Sequence, residues 1–179
     1  VIGLLTTALL SRTGLSSLIT IEPLTNRRRM SLDMGADDSL DGSDIRALVE
    51  SGLSGGGYDL VLELSGDPTA LDQAIRITGP EGRVVVGSWY GRRPAELSLG
   101  ERFHRNRIRV ISSQVSRIEP SLLGRWDKER RLSFVWRMIQ EIRPSRLITH
   151  EFDIDEAQRA FEMIDGEKDK LIQVVLTYS

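Results

Sequence analysis

Apolar residues at the start of the chain recur with helical spacing and then give way to a β-branched run. Between residues 1 and 10 they follow the i, i+3, i+4, i+7 pattern of one helix face. Gly14 stands where a helix is commonly capped, and residues 18–21 have the composition of a buried strand. This stretch therefore predicts a helix, a cap and a strand that ends at an acid, Glu22.

The rest of the chain continues to alternate helical and strand-like segments, with no internal repeat. The run at 58–64 is mostly apolar, as in parallel sheets that are covered on both faces. The pattern therefore predicts an α/β protein with a parallel sheet. The further predicted helices are 27–34, 43–51, 69–77, 128–142 and 154–164, the predicted strands are 39–42 (or a turn), 58–64, 83–86, 108–112, 147–149 and 171–177, and 53–57 and 79–82 are a loop and a turn.

The predicted helix at 128–142 has the clearest amphipathic pattern in the chain. Such an apolar face usually packs against a protein core. We therefore predict core positions at Leu132, Phe134, Val135, Met138, Ile139 and Ile142.

Gly3 and Glu22 have the spacing of two elements of a mononucleotide-binding βαβ unit. In that unit the third glycine of G-x-G-x-x-G lies at the helix start, and an acid about twenty residues later binds the ribose hydroxyls. The two residues here are 19 positions apart, but the first two glycines and the preceding strand are missing. A packing glycine and a solvated acid at a strand end fit the same residues, so the motif alone leaves both interpretations open.

Small residues follow two of the predicted strands. Ser65 and Gly66 come after the strand at 58–64, and Gly87 and Ser88 follow 83–86. Open α/β sheets bind ligands at the carboxyl ends of their strands, where small residues let backbone approach a ligand. The alternative is that these residues only start tight turns.

Composition narrows the class of protein. The 179 residues, 40% of them hydrophobic, suffice for one large domain. The absence of cysteine excludes disulfides and thiolate metal sites, and two histidines are too few for a zinc centre. The net charge of -2 argues against nucleic acid as a partner, and no apolar run reaches the ~18 residues of a membrane span. No targeting segment is visible, so a cytoplasmic protein is expected.

A basic cluster, Arg105, Asn106 and Arg107, precedes the predicted strand at 108–112. It has the charge to hold a phosphate or a carboxylate substrate. Charged side chains also protect exposed sheet edges, and we favour this second interpretation.

Two segments resemble the medium-chain dehydrogenase/reductase family, in particular the zinc-type alcohol dehydrogenase-like proteins. They are residues 22–41, EPLTNRRRMSLDMGADDSLD, and residues 147–178, LITHEFDIDEAQRAFEMIDGEKDKLIQVVLTY. The resemblance implies cofactor contacts at Ile2, Gly3, Glu22, Arg27, Ser65, Gly66, Val86, Gly87, Ser88 and Gln173. Gln173 stands where a family member has a basic residue that reaches the pyrophosphate, so this contact is expected to be weaker.

The resemblance also implies a fold and an activity. The fold is a Rossmann-like doubly wound parallel sheet truncated at its N-terminus, with residues 1–145 binding the dinucleotide and 146–179 returning toward a catalytic domain. That domain, with its zinc ligands, would precede this chain, which holds neither a catalytic residue nor a metal ligand. The implied reaction is NAD-dependent hydride transfer between a small alcohol and nicotinamide, with the zinc polarising the alcohol oxygen.

Two other classes of protein remain open. An acid after the second strand also binds the ribose of S-adenosylmethionine, as in a methyltransferase. A non-catalytic partner or pseudoenzyme with a Rossmann module is the third interpretation, and a homodimer is compatible with each of them.

Two expectations concern the missing first strand. The chain alone should bind dinucleotide poorly, because the absent turn supplies the N–H groups that approach the pyrophosphate. The strands at 18–21 and 58–64 should be parallel and adjacent, or one strand apart, in a single sheet. We expect their placement in different sheets to argue against a dinucleotide-binding fold.

Overall fold

The computed structural model describes residues 1–45, 47–48, 50 and 56–178, which form an α/β chain of two compact units. Unit 1 comprises Val1–Gly42 and Asp127–Ser179, and unit 2 comprises Ser43–Trp126. The labelled elements are, in chain order, α1 (Ile2–Leu10), β1 (Ile19–Ile21), α2 (Thr25–Asp33), β2 (Asp38–Leu40), β3 (Tyr58–Glu63), α3 (Pro68–Ile77), β4 (Thr78–Val86), β5 (Arg109–Ser112), α4 (Lys128–Ile142), β6 (Ile148–Asp153), α5 (Ala157–Gly166) and β7 (Gln173–Thr177).

Most predicted elements are present within a few residues of their predicted bounds, and α4 has the predicted bounds. The strand predicted at 147–149 is longer and runs to Asp153. The helix predicted at 154–164 begins with a 3-10 turn, and α5 then includes Gly166 rather than stopping before it. Of the helix predicted at 43–51, the first residues form a 3-10 turn and the described residues of 45–50 are helical. Most of the loop predicted at 53–57 lies outside the described residues.

All strand pairs among the described residues are parallel. In unit 1, β1 pairs with β2 and β6 pairs with β7. In unit 2 the order is β3-β4-β5, with β4 in the middle. Of the two arrangements expected for β1 and β3, direct pairing is wrong, because the described residues place them in different hydrogen-bonded sheets.

The core of unit 1 gathers residues from both of its chain segments: Leu4, Ala8, Met34, Ile142, Leu147 and Ile172. In the apolar pattern predicted for residues 1–10, Leu4 and Ala8 are buried as expected, whereas Val1, Ile2 and Leu9 are exposed. On α4, by contrast, Ile142 is buried but Leu132, Phe134, Val135 and Ile139 are exposed, so the prediction of core positions is wrong for these four. Periodicity identifies an apolar face but does not determine what covers it.

The core of unit 2 packs α3 against the middle of its sheet. Its buried residues are Leu71, Ala74, Ile75, Val84 and Ile108. The start of α3 is fixed by Asp67, whose carboxylate accepts a hydrogen bond from Thr69 N at 2.9 Å, and by Pro68 at the first helical position. This packing holds the carboxyl ends of β3 and β4 in register.

The turn predicted at residues 79–82 lies inside β4 as a bulge. Thr78 is paired with Tyr58, and the register then jumps so that Arg83 is paired with Leu60. Glu81 has a positive φ of 58°, which is typical of such a local reversal. The predicted turn therefore corresponds to an irregularity of the backbone within β4. The prediction missed that Thr78, before this irregularity, already pairs with β3.

Candidate functional site

Ile2 and Gly3, which were predicted to contact a cofactor, lie in the first turn of α1. The side chain of Ile2 is 65% exposed. A Cβ atom added at Gly3 would meet no atom within 4 Å. The alternative interpretation of Gly3 as a packing glycine thus receives no support from its surroundings.

Glu22 and Arg27 lie close to the start of α1. Glu22 follows β1 directly, and its Oε1 accepts a hydrogen bond from Leu24 N at 3.1 Å. Val1, which precedes α1, lies within electrostatic range of both Arg27 and Glu22.

Arg27 is half-buried, and its Nε atom has no hydrogen-bond partner among the described residues. Its neighbour Arg28 is fully engaged within the protein. The Arg28 guanidinium donates to Asp41 Oδ2 at 2.8 Å and to the carbonyl oxygens of Glu22 and Pro23. The Arg27 Nε atom is itself buried, so among the described residues this donor stays unpaired inside the protein.

Gln173 is the first residue of β7. Its Nε2 donates to the carbonyl oxygen of Val174 at 2.7 Å. The side chain is half-buried and carries no charge, in contrast to the basic residue that a member of the resembled family has at this position.

At the carboxyl ends of β3 and β4, four side chains form what we call the Glu63 cluster: Glu63, Ser65, Ser88 and Tyr90. Glu63, the last residue of β3, is only 4% exposed. Its Oε1 accepts from both the backbone N (2.7 Å) and the hydroxyl of Ser65, and its Oε2 accepts from the hydroxyls of Ser88 and Tyr90. The carboxylate thus connects the segments that follow two neighbouring strands.

The ionisation of this cluster follows from its hydrogen bonds. Burial raises the pKa of Glu63, but the hydrogen bonds from Ser65, Ser88 and Tyr90 outweigh it and the net pKa is lowered. Burial and the hydrogen bond to Glu63 raise the pKa of Tyr90 to about 12. At neutral pH, therefore, Glu63 is a carboxylate and Tyr90 a neutral phenol.

The backbone around the cluster is held by further contacts. Gly87 N donates to the Glu63 carbonyl oxygen at 2.9 Å, and a Cβ at Gly87 would lie 2.6 Å from Cδ2 of Leu64. Gly66 has a φ of +73°, and its carbonyl oxygen accepts from the Arg93 guanidinium. The carbonyl oxygen of Val86 accepts from Ser113 N at 2.7 Å.

The structure thus brings together Ser65 and Ser88, both predicted from the sequence, and adds Glu63 and Tyr90, which sequence reasoning missed. A signal for Glu63 was present, because an acid in an otherwise apolar strand needs hydrogen-bond donors if it is buried. Tyr90 gave no comparable signal, since it lies in a polar segment after the strand.

The basic cluster lies at the opposite, amino-terminal edge of the unit 2 sheet. Arg107 forms an ion pair with Glu81 at 3.1 Å, and both side chains are exposed. Arg105 and Asn106 line an open depression of about 480 Å³ together with Gly56, Pro80, Glu101 and Arg102. These surroundings favour a solvated edge over a buried substrate site.

The described ranges contain no group of three or more histidine, cysteine, aspartate or glutamate side chains placed to hold a metal ion. The residues present thus do not fit a zinc site. None of the helices formed by the described residues is both long and apolar enough to cross a membrane.

A model of the zinc-binding dehydrogenase family matches residues 1–128, and the chain therefore belongs to this family. Among similar proteins, it is 28% identical to the L-threonine 3-dehydrogenase of Caldanaerobacter subterraneus, over 96% of this chain and 48% of that protein. Its identity to the Bacillus subtilis L-threonine 3-dehydrogenase is 29%, over 97% and 48%. The chain spans about half the length of these curated relatives.

The fold is similar to that of solved dehydrogenases. A short chain alcohol dehydrogenase (RspB) of Escherichia coli CFT073, complexed with NADH, superimposes with a TM-score of 0.78 at 20% identity, over 98% of this chain and 49% of that one. This confirms the Rossmann-like α/β fold. Separate sheets for β1 and β3 were expected to argue against this fold, and the likeness to solved dehydrogenases shows that this expectation was wrong.

Proposed function

We propose that this chain is the NAD-binding part of a zinc-type, alcohol dehydrogenase-like oxidoreductase. The full-length protein that contains this chain would transfer hydride between a small alcohol, or the corresponding carbonyl compound, and nicotinamide. Family membership, dehydrogenase relatives and an NADH-bound structural neighbour support this proposal. The observation that carries it is the position of Glu22 directly after β1, where a dinucleotide-binding unit has its ribose-binding acid.

In unit 1 the proposed contacts are those of the first βα segment. Glu22 would accept the ribose hydroxyls, while Ile2, Gly3 and Arg27 would contact the adjoining part of the dinucleotide. The positive charge of the Arg27 guanidinium suits a phosphate oxygen. Gln173 would contribute at most a neutral hydrogen bond, which is weaker than a charged one.

In unit 2 the proposed contacts are the residues that follow β3 and β4, namely Ser65, Gly66, Val86, Gly87 and Ser88. They lie at the carboxyl ends of parallel strands, where doubly wound sheets bind their ligands. Residues 1–145 would then form the dinucleotide-binding domain and 146–179 the segment that returns toward a catalytic domain. In this proposal the chain would position the cofactor.

An activity assay tests the proposal. The full-length product of the gene, given NAD and a panel of small alcohols that includes L-threonine, should form NADH, which is followed by its absorbance. Failure to bind either NAD or NADP would contradict the proposal. Binding of S-adenosylmethionine in their place would support the methyltransferase interpretation instead.

Glu22 is expected to make the protein select NAD over NADP. A carboxylate accepts the ribose hydroxyls and repels a 2′-phosphate, and Arg28, held by Asp41, is not free to neutralise that phosphate. Competitive titration of the full-length product should show NAD bound at least about tenfold more tightly than NADP, or about 1.4 kcal/mol. Equal or tighter binding of NADP would refute the assignment.

Replacing Glu22 with glutamine removes the negative charge of the side chain and nearly keeps its size. In Glu22→Gln the preference for NAD should shrink to less than about threefold, because repulsion of the phosphate is lost while hydrogen bonding to the ribose is partly kept. Glu151→Gln, an exposed substitution on β6 in the same unit, is the matched control and should keep the wild-type preference.

A further inference from the structure

The buried carboxylate of Glu63 is the shared acceptor of three hydroxyl groups that belong to two different chain segments. Ser65 follows β3, whereas Ser88 and Tyr90 follow β4, and these two strands are paired in parallel up to Glu63 and Val86. Each carboxylate oxygen accepts two hydrogen bonds. Glu63 therefore determines where all three hydroxyl groups lie.

The ionised state of Glu63 also determines the direction of these hydrogen bonds. A carboxylate can only accept, so every hydroxyl in the cluster must donate its single proton to it. Ser65 Oγ in addition accepts from Asp67 N at 3.0 Å. The oxygens of Ser88 and Tyr90 are left with lone pairs alone, and both side chains are half-buried rather than sealed from solvent.

We propose that Glu63 is a positioning residue for the cofactor. Through its hydrogen bonds, Glu63 makes the carboxyl ends of β3 and β4 a surface that accepts hydrogen bonds from a ligand. This inference rests on the proposed function. With their protons directed to Glu63, Ser88 and Tyr90 offer only lone pairs to a ligand. They therefore select a ligand group that donates, such as the amino group of the nicotinamide carboxamide. Glu63 itself lies beneath these hydroxyls and acts through them.

Glu63→Gln tests this role with little change of volume. The amide keeps one oxygen but replaces the other with an N–H donor, so at least one hydroxyl must reverse or lose its partner. NADH binding to the full-length product, followed by fluorescence, should weaken by about tenfold. Glu96→Gln, an exposed substitution in the same unit, is the matched control and should leave binding unchanged.

A variant cycle distinguishes positioning from a merely structural role. Ser88→Ala combined with Tyr90→Phe removes the two hydroxyls through which Glu63 is inferred to act, and should by itself weaken NADH binding by about tenfold. Adding Glu63→Gln to that double variant should then cause little further loss, because the residues share one effect. If Glu63 acted independently of the two hydroxyls, the fold-losses of NADH affinity caused by Glu63→Gln and by the double variant would instead multiply.

The outcomes separate this inference from the proposed function. If the wild-type protein binds neither NADH nor NADPH, the proposed function fails and this inference fails with it. If the wild type binds NADH but Glu63→Gln binds it equally well, or the losses multiply, only the inference is overturned. Should Glu63→Gln not fold, wild-type affinity in the folded Ser88→Ala, Tyr90→Phe double variant would still overturn it.

Discussion

Replacing Ile75 with alanine is expected to lower the free energy of unfolding by about 2–5 kcal/mol. Ile75 lies on α3, is only 1% exposed and packs in the core of unit 2 with Val84 of the central strand. Truncation removes apolar contacts and leaves a cavity that neighbouring side chains fill only partly. Because small domains are stable by about 5–15 kcal/mol, a loss of this size is a large fraction of the total.

Urea denaturation of the full chain measures this loss. Ile111→Ala on β5 is the matched control, because the residue type is the same but Ile111 is 39% exposed. We expect the control to cost less than about 1.5 kcal/mol, since much of the side chain already contacts water. Equal losses in the two variants would show that the packing around Ile75 is not as described.

Gly57→Ala should be the second strongly destabilising substitution, with an effect that depends on backbone packing rather than on side chains. Gly57 has a φ of +92°, and a Cβ there would lie 2.7 Å from Gly79 N and 2.9 Å from the carbonyl oxygen of Ile77. These atoms belong to the backbone at the bulge of β4 and cannot move aside as a side chain does. Overpacking of this kind typically costs about 1–3 kcal/mol, in addition to the strain of a positive φ.

The neighbouring residue provides the control for this prediction. Gly56 has a similar φ of +88°, but a Cβ at that position would meet no atom of the described residues within 4 Å. Gly56→Ala should therefore show the conformational strain alone, about 1–2 kcal/mol. If the midpoint of denaturation shifts equally in the two variants, the close approach between Gly57 and the bulge does not contribute to stability.

Helices and strands were predictable wherever their signals are local. α4 has the bounds predicted from periodicity, because Asp127 caps its start and Arg143, with a φ of 53°, and Pro144 end it. The bulge at residues 79–82 shows where local signals fail. Glycine and proline predicted a turn there, whereas pairing with Tyr58 and Leu60 on β3 makes the whole of Thr78–Val86 one strand with a bulge.

The apolar face of α4 shows a second limit. Its sequence pattern predicted core residues, yet Leu132 is 55% exposed, whereas Ile142 at the end of the same helix is buried. Both residues contribute equally to the periodicity. Only the position of the helix end next to Leu4 and Leu147 distinguishes them.

The candidate site divides in the same way. The sequence by itself determined the order of elements and the small residues after β3 and β4, because periodicity is a property of the chain, and its resemblance to known proteins indicated the family. The tertiary structure alone decided that Glu63 and Tyr90 meet, since 27 positions separate them and only the parallel pairing of β3 with β4 brings them together. Burial then leaves the Glu63 carboxylate dependent on its hydroxyl partners, a constraint that no local pattern contains.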